Sequence, residues 1–174
     1  WLEFYKIKFN GTWYTRLINK FVLKAHAEFG FLGAYNNDRG VIPFDRFYLG
    51  GDGMSQYSMD GRETVALRGY TNQSLSSQEG STIYNKFSLE LRYPITLKPS
   101  ASIFALGFLE AGNGYDNFRD FNPFNSKRST GLGIRIFMPA FGLLGIDFAH
   151  GFDPLPGSNI KSGWQTHFII GQQF

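Results

Sequence analysis

The chain has 174 residues and a formal net charge of +3, too small and too dispersed to mark a nucleic-acid-binding surface. It holds no Cys, which excludes a disulfide scaffold and thiolate metal sites. Aromatic residues make up 18% of it, with 19 Phe beside 21 Gly, yet mean hydropathy is below zero, so apolar residues are interspersed with polar ones and no run approaches the roughly 18 apolar residues of a membrane-crossing helix.

The sequence opens at Trp1 with neither Met nor a charged-then-apolar leader, the pattern of a mature protein or a piece of a longer one. Tyr5, Ile7, Phe9 and Trp13 then alternate with Lys6, Lys8, Asn10, Thr12 and Tyr14. This period of two predicts a strand with one apolar and one polar face. After a turn near 18–20 the pattern resumes, with Phe21, Leu23, Ala25, Ala27, Phe29 and Phe31 opposed to Lys24, His26 and Glu28. A long glycine-rich loop follows at about 34–82, with no regular strand or helix expected in it. It contains Phe47-Tyr48-Leu49-Gly50-Gly51 and, further on, Leu67-Arg68-Gly69-Tyr70, where a single arginine sits between apolar and aromatic neighbours.

The third strand sets Phe87, Leu89, Leu91 and Tyr93 against Ser88, Glu90 and Arg92, and Pro94 and Pro99 are expected to bracket a short turn because proline cannot donate to a sheet ladder. The fourth, about 102–112, is apolar on both faces apart from Glu110, so periodicity does not orient it. A polar loop at 113–129 precedes two more strands, Leu132, Ile134, Ile136 and Met138, then Leu144, Ile146 and Phe148 with Asp147 opposite, joined by a turn at 139–142. After the loop at 151–163, Trp164, Thr166, Phe168, Ile170, Gln172 and Phe174 share one face of a seventh strand, and Gln165, His167 and Gln173 share the other.

Short links therefore alternate with long polar loops, as in outer-membrane barrels, whereas a soluble sandwich has loops of similar length at both ends. Aromatic residues near the strand ends fit interface girdles. The fold class expected is all-β, an antiparallel transmembrane β-barrel. A soluble β-sandwich or ligand-binding barrel is the rival, since a half-buried soluble sheet alternates in the same way.

Phe47-Tyr48-Leu49-Gly50-Gly51 followed by Leu67-Arg68-Gly69-Tyr70 resembles the long sixth outer loop of the BamA-type outer-membrane assembly barrels, whose signature is Arg-Gly followed by Phe or Tyr. The closing "WQTHFIIGQQF" is similar to that family's last strand, and "GLGIRIFMPAFGLLGIDFAHGFD" resembles its penultimate hairpin. The resemblance covers nearly the whole chain in order. It implies that 1–174 is the carboxy-terminal part of a single barrel domain, about seven strands of sixteen, whose partners are the remaining amino-terminal strands and POTRA domains of the same protein. It also implies a bacterial outer-membrane location, with membrane lipid, accessory assembly subunits and unfolded outer-membrane clients as further partners. Neither nucleic acid nor a cofactor is implied.

The function so implied is the central barrel subunit of the machinery that folds and inserts β-barrel proteins, without covalent chemistry. In that family the loop folds back into the lumen and its arginine pairs with acids on the inner wall. Carried to this chain, the lock is Arg68, Gly69 and Tyr70 against Glu90 and Glu110. The last strand, with Trp164, Phe168, Ile170, Gly171 and Phe174, forms one side of a lateral seam, where weak pairing lets a client strand add. The alternative is a polypeptide-secretion or porin-type transport barrel, because the two-partner secretion transporters share the loop motif.

Other residues point to no chemistry. His26, His150 and His167 lack a metal-ligand spacing and are expected to be ordinary lumen or interface residues. Asp52 and Asp60 lack the spacing of a calcium loop, and Gly50-Gly51 and Gly131-Leu132-Gly133 lack the strand-turn-helix setting of a phosphate cradle. Glu79, Asp116 and Asp120 are expected in solvent, and no Ser or His arrangement argues for a nucleophile.

Overall fold

A computed structural model describes residues 3–35, 41, 43–53 and 62–171. Seven long strands form one antiparallel sheet: β1 (Phe4–Arg16), β2 (Val22–Ala34), β5 (Ile83–Lys98), β6 (Ala101–Tyr115), β7 (Lys127–Met138), β8 (Gly142–Pro154) and β9 (Lys161–Gly171). They neighbour one another in chain order, β1-β2-β5-β6-β7-β8-β9, so the sheet is a meander whose edges are β1 and β9.

The two faces are inverted relative to a soluble sheet. Outward positions carry Phe9, Trp13, Leu109, Leu132, Phe148, Trp164 and Phe168, all exposed. Inward positions include Glu90, Glu110, Arg135, Asp147 and His167, all buried. Apolar side chains that line one face of a sheet without a partner layer are solvated by lipid in an outer-membrane barrel, while the polar face looks into the lumen. This disposes of the soluble sandwich, which would bury the apolar face.

The loop between β2 and β5 lies on the inward face and covers it. Contrary to the expectation of an irregular loop, it holds a short 3-10 turn at Pro43–Asp45 and a parallel pair, β3 (Phe47–Leu49) with β4 (Glu63–Val65). Three-residue strands are too short for a period of two to register in sequence. Phe47, Leu49, Val65, Leu67, Tyr70 and Leu75 pack together and onto Leu32 of β2 and Tyr84 of β5, giving the loop a core of its own.

The proline turn is also corrected. β5 runs through Pro94 as far as Lys98, and the turn lies at Pro99 and Ser100. A register shift between Pro94 and Thr96 opens the β5-β6 ladder at that point, and such a bulge is where a residue without an N–H is tolerated inside a strand.

Candidate functional site

The site is built where the loop meets the wall of β5 to β9. In β6 the inward positions are Phe108 and Glu110, and Glu110 neighbours Ser88 in the register while Glu90 lies one step along the same face of β5. In β7 and β8 the register sets Gly133 opposite Asp147 and Arg135 opposite Gly145. A Cβ at Gly133 would collide with the Asp147 carboxylate, and one at Gly145 with the Arg135 guanidinium. The two glycines thus give these long polar side chains room to lie flat along the wall, where Arg135 makes a two-pronged pair with Asp147, 2.6 Å on each side.

Into this wall the loop inserts Arg68, which is 6% exposed. Its Nη2 donates to Glu90 Oε1 at 2.8 Å and to Glu110 Oε1 at 2.6 Å, and its Nη1 donates to Asp147 Oδ2 at 3.1 Å. The Arg68 backbone N–H donates to the second oxygen of Glu110 at 2.9 Å. The guanidinium carbon also lies 3.6 Å from the ring centroid of Phe108, so the plane is stacked as well as hydrogen-bonded. Arg92 donates to the remaining oxygen of Glu90 at 2.9 and 2.6 Å. Three guanidinium groups, of Arg68, Arg92 and Arg135, therefore face three carboxylates, of Glu90, Glu110 and Asp147. Burial works against the charge of Arg68, but the Glu110, Glu90 and Asp147 carboxylates outweigh it and raise its pKa above the ordinary arginine value. The planar fork suits this site because its donors are spread over separate nitrogens that reach acids on three strands while the plane stacks on Phe108, whereas an ammonium concentrates its donors on one atom.

The next two residues continue the contact. Gly69 has φ +88, a left-handed conformation, and a Cβ there would stand 2.8 Å from Ser129 Cβ and 3.1 Å from the Gly151 nitrogen. Only glycine meets both conditions. Its N–H donates to His167 Nε2 at 2.9 Å, and its carbonyl accepts from Ser162 Oγ at 2.6 Å. The Tyr70 hydroxyl donates to the Arg128 carbonyl at 2.7 Å, and burial pushes its pKa up to about 12, keeping it a donor. Three consecutive loop residues thus bond to five successive strands: β5, β6 and β8 through Arg68, β9 through Gly69, and β7 through Tyr70.

Arg68, Gly69, Tyr70, Glu90 and Glu110, the residues singled out in the sequence, are thus gathered in one place. Asp147, Arg135 and Phe108 belong there too and were not assigned to it. Asp147 reads from sequence only as a polar-face residue, and its separation of 79 positions from Arg68 gives no signal. His167 is more than an ordinary lumen residue, since it accepts from the loop backbone. Of the residues expected at a seam, Trp164, Phe168 and Ile170 are exposed on the outer face of β9, and Gly171, at φ +131, ends the strand. Gln172, Gln173 and Phe174 lie outside the described residues.

A second contact ties the loop to β1. Lys6 Nζ lies 2.7 Å from Glu63 Oε2 and donates to the Asp45 carbonyl at 2.8 Å, and Lys8 also pairs with Glu63. Burial would raise the Glu63 pKa, but Lys6 and Lys8 lower it below the usual carboxylate value.

The Omp85 superfamily domain matches residues 1–174. Among solved structures, the crystal structure of BamA from Haemophilus ducreyi lacking POTRA domains 1-3 superposes with a TM-score of 0.70 at 18% sequence identity. The alignment covers 96% of this chain but only 35% of that one, and at this identity the likeness is one of fold. No curated protein matches the sequence.

Proposed function

This chain belongs to the Omp85 superfamily, and from that premise we propose that it is the carboxy-terminal part of the central barrel subunit that folds and inserts β-barrel proteins into the bacterial outer membrane. The remaining strands and the POTRA domains of the same protein complete it, and accessory subunits and unfolded clients are its partners. The mechanism is non-covalent. β9 forms one side of a lateral seam, and a client strand adds to its exposed edge by main-chain hydrogen bonding.

The observation that carries this reading is the loop, which Arg68 anchors in the lumen wall through Glu90 and Glu110. In the complete barrel the last strand closes against the first, since an unpaired edge in lipid leaves backbone groups unsatisfied, and an exchangeable pairing at that closure suits insertion. A transport pore is the other reading in the family. The loop motif is common to both, and client insertion separates them.

The test is reconstitution of the full-length protein in lipid vesicles, with insertion of a client barrel followed over time. Client insertion well above that of protein-free vesicles supports the proposal. No such acceleration, together with ion conductance through the barrel and export of one dedicated secreted protein, would establish the transport reading instead.

A further inference from the structure

The Gly69 peptide is gripped at both ends by a single strand. His167, which accepts its N–H, and Ser162, which donates to its carbonyl, both belong to β9. They are five positions apart, and in a regular strand an odd separation puts two side chains on opposite faces. Gly163 removes the conflict. It has φ +72, with no atom within 4 Å of where its Cβ would stand, so glycine is needed there for its backbone and not for space. Beside it the β8-β9 register shifts between Gly151 and Pro154, where β8 sets two residues, Phe152 and Asp153, against the single Ser162 of β9. That bulge is in β8, and in β9 the left-handed Gly163 breaks the alternation so that Ser162 reaches Gly69 from the same side as His167.

Beyond the ladder with β8, these two side chains tie β9 to the loop. We propose that His167 is a positioning residue which, with Ser162 and the left-handed turn at Gly163, fastens strand β9 to the lumen loop, so that docking of the loop sets how readily the seam opens. This rests on the reading of β9 as the seam. The imidazole suits the task because its Nε2, unprotonated, offers one directed lone pair to the Gly69 N–H, and a buried N–H left without an acceptor is costly. Gly69 cannot slide away to find another, being confined by Ser129 and Gly151. Arg68 thus fixes the loop to β5, β6 and β8, and the adjoining peptide passes that constraint on to the edge.

The experiment is backbone amide exchange on the full-length protein in lipid vesicles, reading residues 164–170 and 67–70 relative to β6 and β7 of the same molecule. His167→Phe, similar in size but without an acceptor, should lose about tenfold of protection in β9 and at the loop tip, with β6 and β7 unchanged. His167→Gln, whose Oε1 can accept the same N–H, should restore most of it. Wild-type β9 protection in a folded His167→Phe barrel overturns the proposal, as does loss spread evenly over all strands. If that variant does not fold, Ser162→Ala removes one hydroxyl at a half-buried position, and the same two outcomes decide. Because client insertion is not the readout, a barrel that inserts nothing yet shows selective loosening of β9 would refute the insertase and uphold the coupling.

Discussion

The loop is tied down at two places, and the two use the same chemistry to different effect. At Arg68 the cation and its three carboxylates have side chains no more than 7% exposed, and the cation is stacked on Phe108. At β1 the acid is Glu63, its side chain 24% exposed, facing Lys6 and Lys8 at 22% and 45%. A buried pair gains little net stability, since desolvation offsets attraction, but removing one partner is severe because the other is left charged and dry. A half-exposed pair can be lost with little penalty, because water takes over. The Arg68 anchor therefore selects one loop geometry, and the β1 anchor tethers a loop already placed.

The strongest way to break this contrast is Arg68→Ala. It removes the one cation hydrogen-bonded to all three of Glu90, Glu110 and Asp147, leaving Arg92, Arg135 and the less direct charges of Lys24 and Lys86, and should destabilise loop docking by about 3–5 kcal/mol. Client insertion should fall steeply while the barrel stays folded by heat-modifiable gel mobility. Arg68→Lys should recover part of the loss, because a point charge reaches fewer of the acids. Full insertion activity in a folded Arg68→Ala protein would remove the anchor from the mechanism.

How much of this was visible in the sequence follows from range. Period two depends only on neighbours, so the seven strands and the outward set Trp164, Phe168 and Ile170 could be read directly. β6 could not be oriented because its inward residues are apolar as well: Leu106 and Phe108 are buried together with Ala149, and the packing that explains Phe108 is with Arg68, 40 positions away. Glu90 and Glu110 entered only through resemblance to a family. Asp147 and His167 needed the register of β5 to β9, which no local pattern encodes. Pro94 misled because a bulge inside a strand looks in sequence like its end.

Gly69→Ala tests the geometry rather than the charge. The residue would keep every acid and base but place a methyl group 2.8 Å from Ser129 Cβ at a positive φ. Strain of this kind is worth on the order of 1–3 kcal/mol, so the loop tip should loosen by less than in Arg68→Ala, with amide exchange at 68–70 rising and β2 unaffected. An exchange pattern matching wild type would show that the tip has slack the close contacts deny.

Asp147→Asn separates the acids from one another. The carboxamide is similar in size and can still accept from Arg68 Nη1 or Arg135, but its NH2 must face one of the two guanidinium groups, which donates as well. Glu90→Gln meets a milder conflict, because Glu90 lies at the more open end of the cluster beside Arg92, a half-exposed side chain that can turn toward water. Loop docking in vesicles, followed by amide exchange at 67–70, should suffer more from Asp147→Asn than from Glu90→Gln. The reverse order would place the centre of the anchor on β5 instead of β8.

The smallest effect belongs to the β1 tether, and its signature is sensitivity to conditions. Glu63 has its pKa lowered in the folded protein by Lys6 and Lys8 against the opposing effect of burial, so its contribution is present above the ordinary glutamate value of 4.5 and is lost as pH falls through the lower, folded value. The pairs are partly exposed and so are screened by salt. Glu63→Gln should therefore raise amide exchange at Glu63–Val65 by an amount equivalent to about 0.2–1 kcal/mol at neutral pH and low ionic strength, and by less at 1 M salt. Exchange at Arg68 and Gly69 should not follow in this variant at neutral pH, because their N–H groups are held by Glu110 and by the unprotonated His167 Nε2 and not by anything on β1. Acidifying the wild-type protein through the lower, folded Glu63 value should loosen β4 as the substitution does, whereas the tip is compared at neutral pH. If the Arg68 tip loosens in parallel with β4, the two anchors act as one unit, and the division into a selector and a tether is lost.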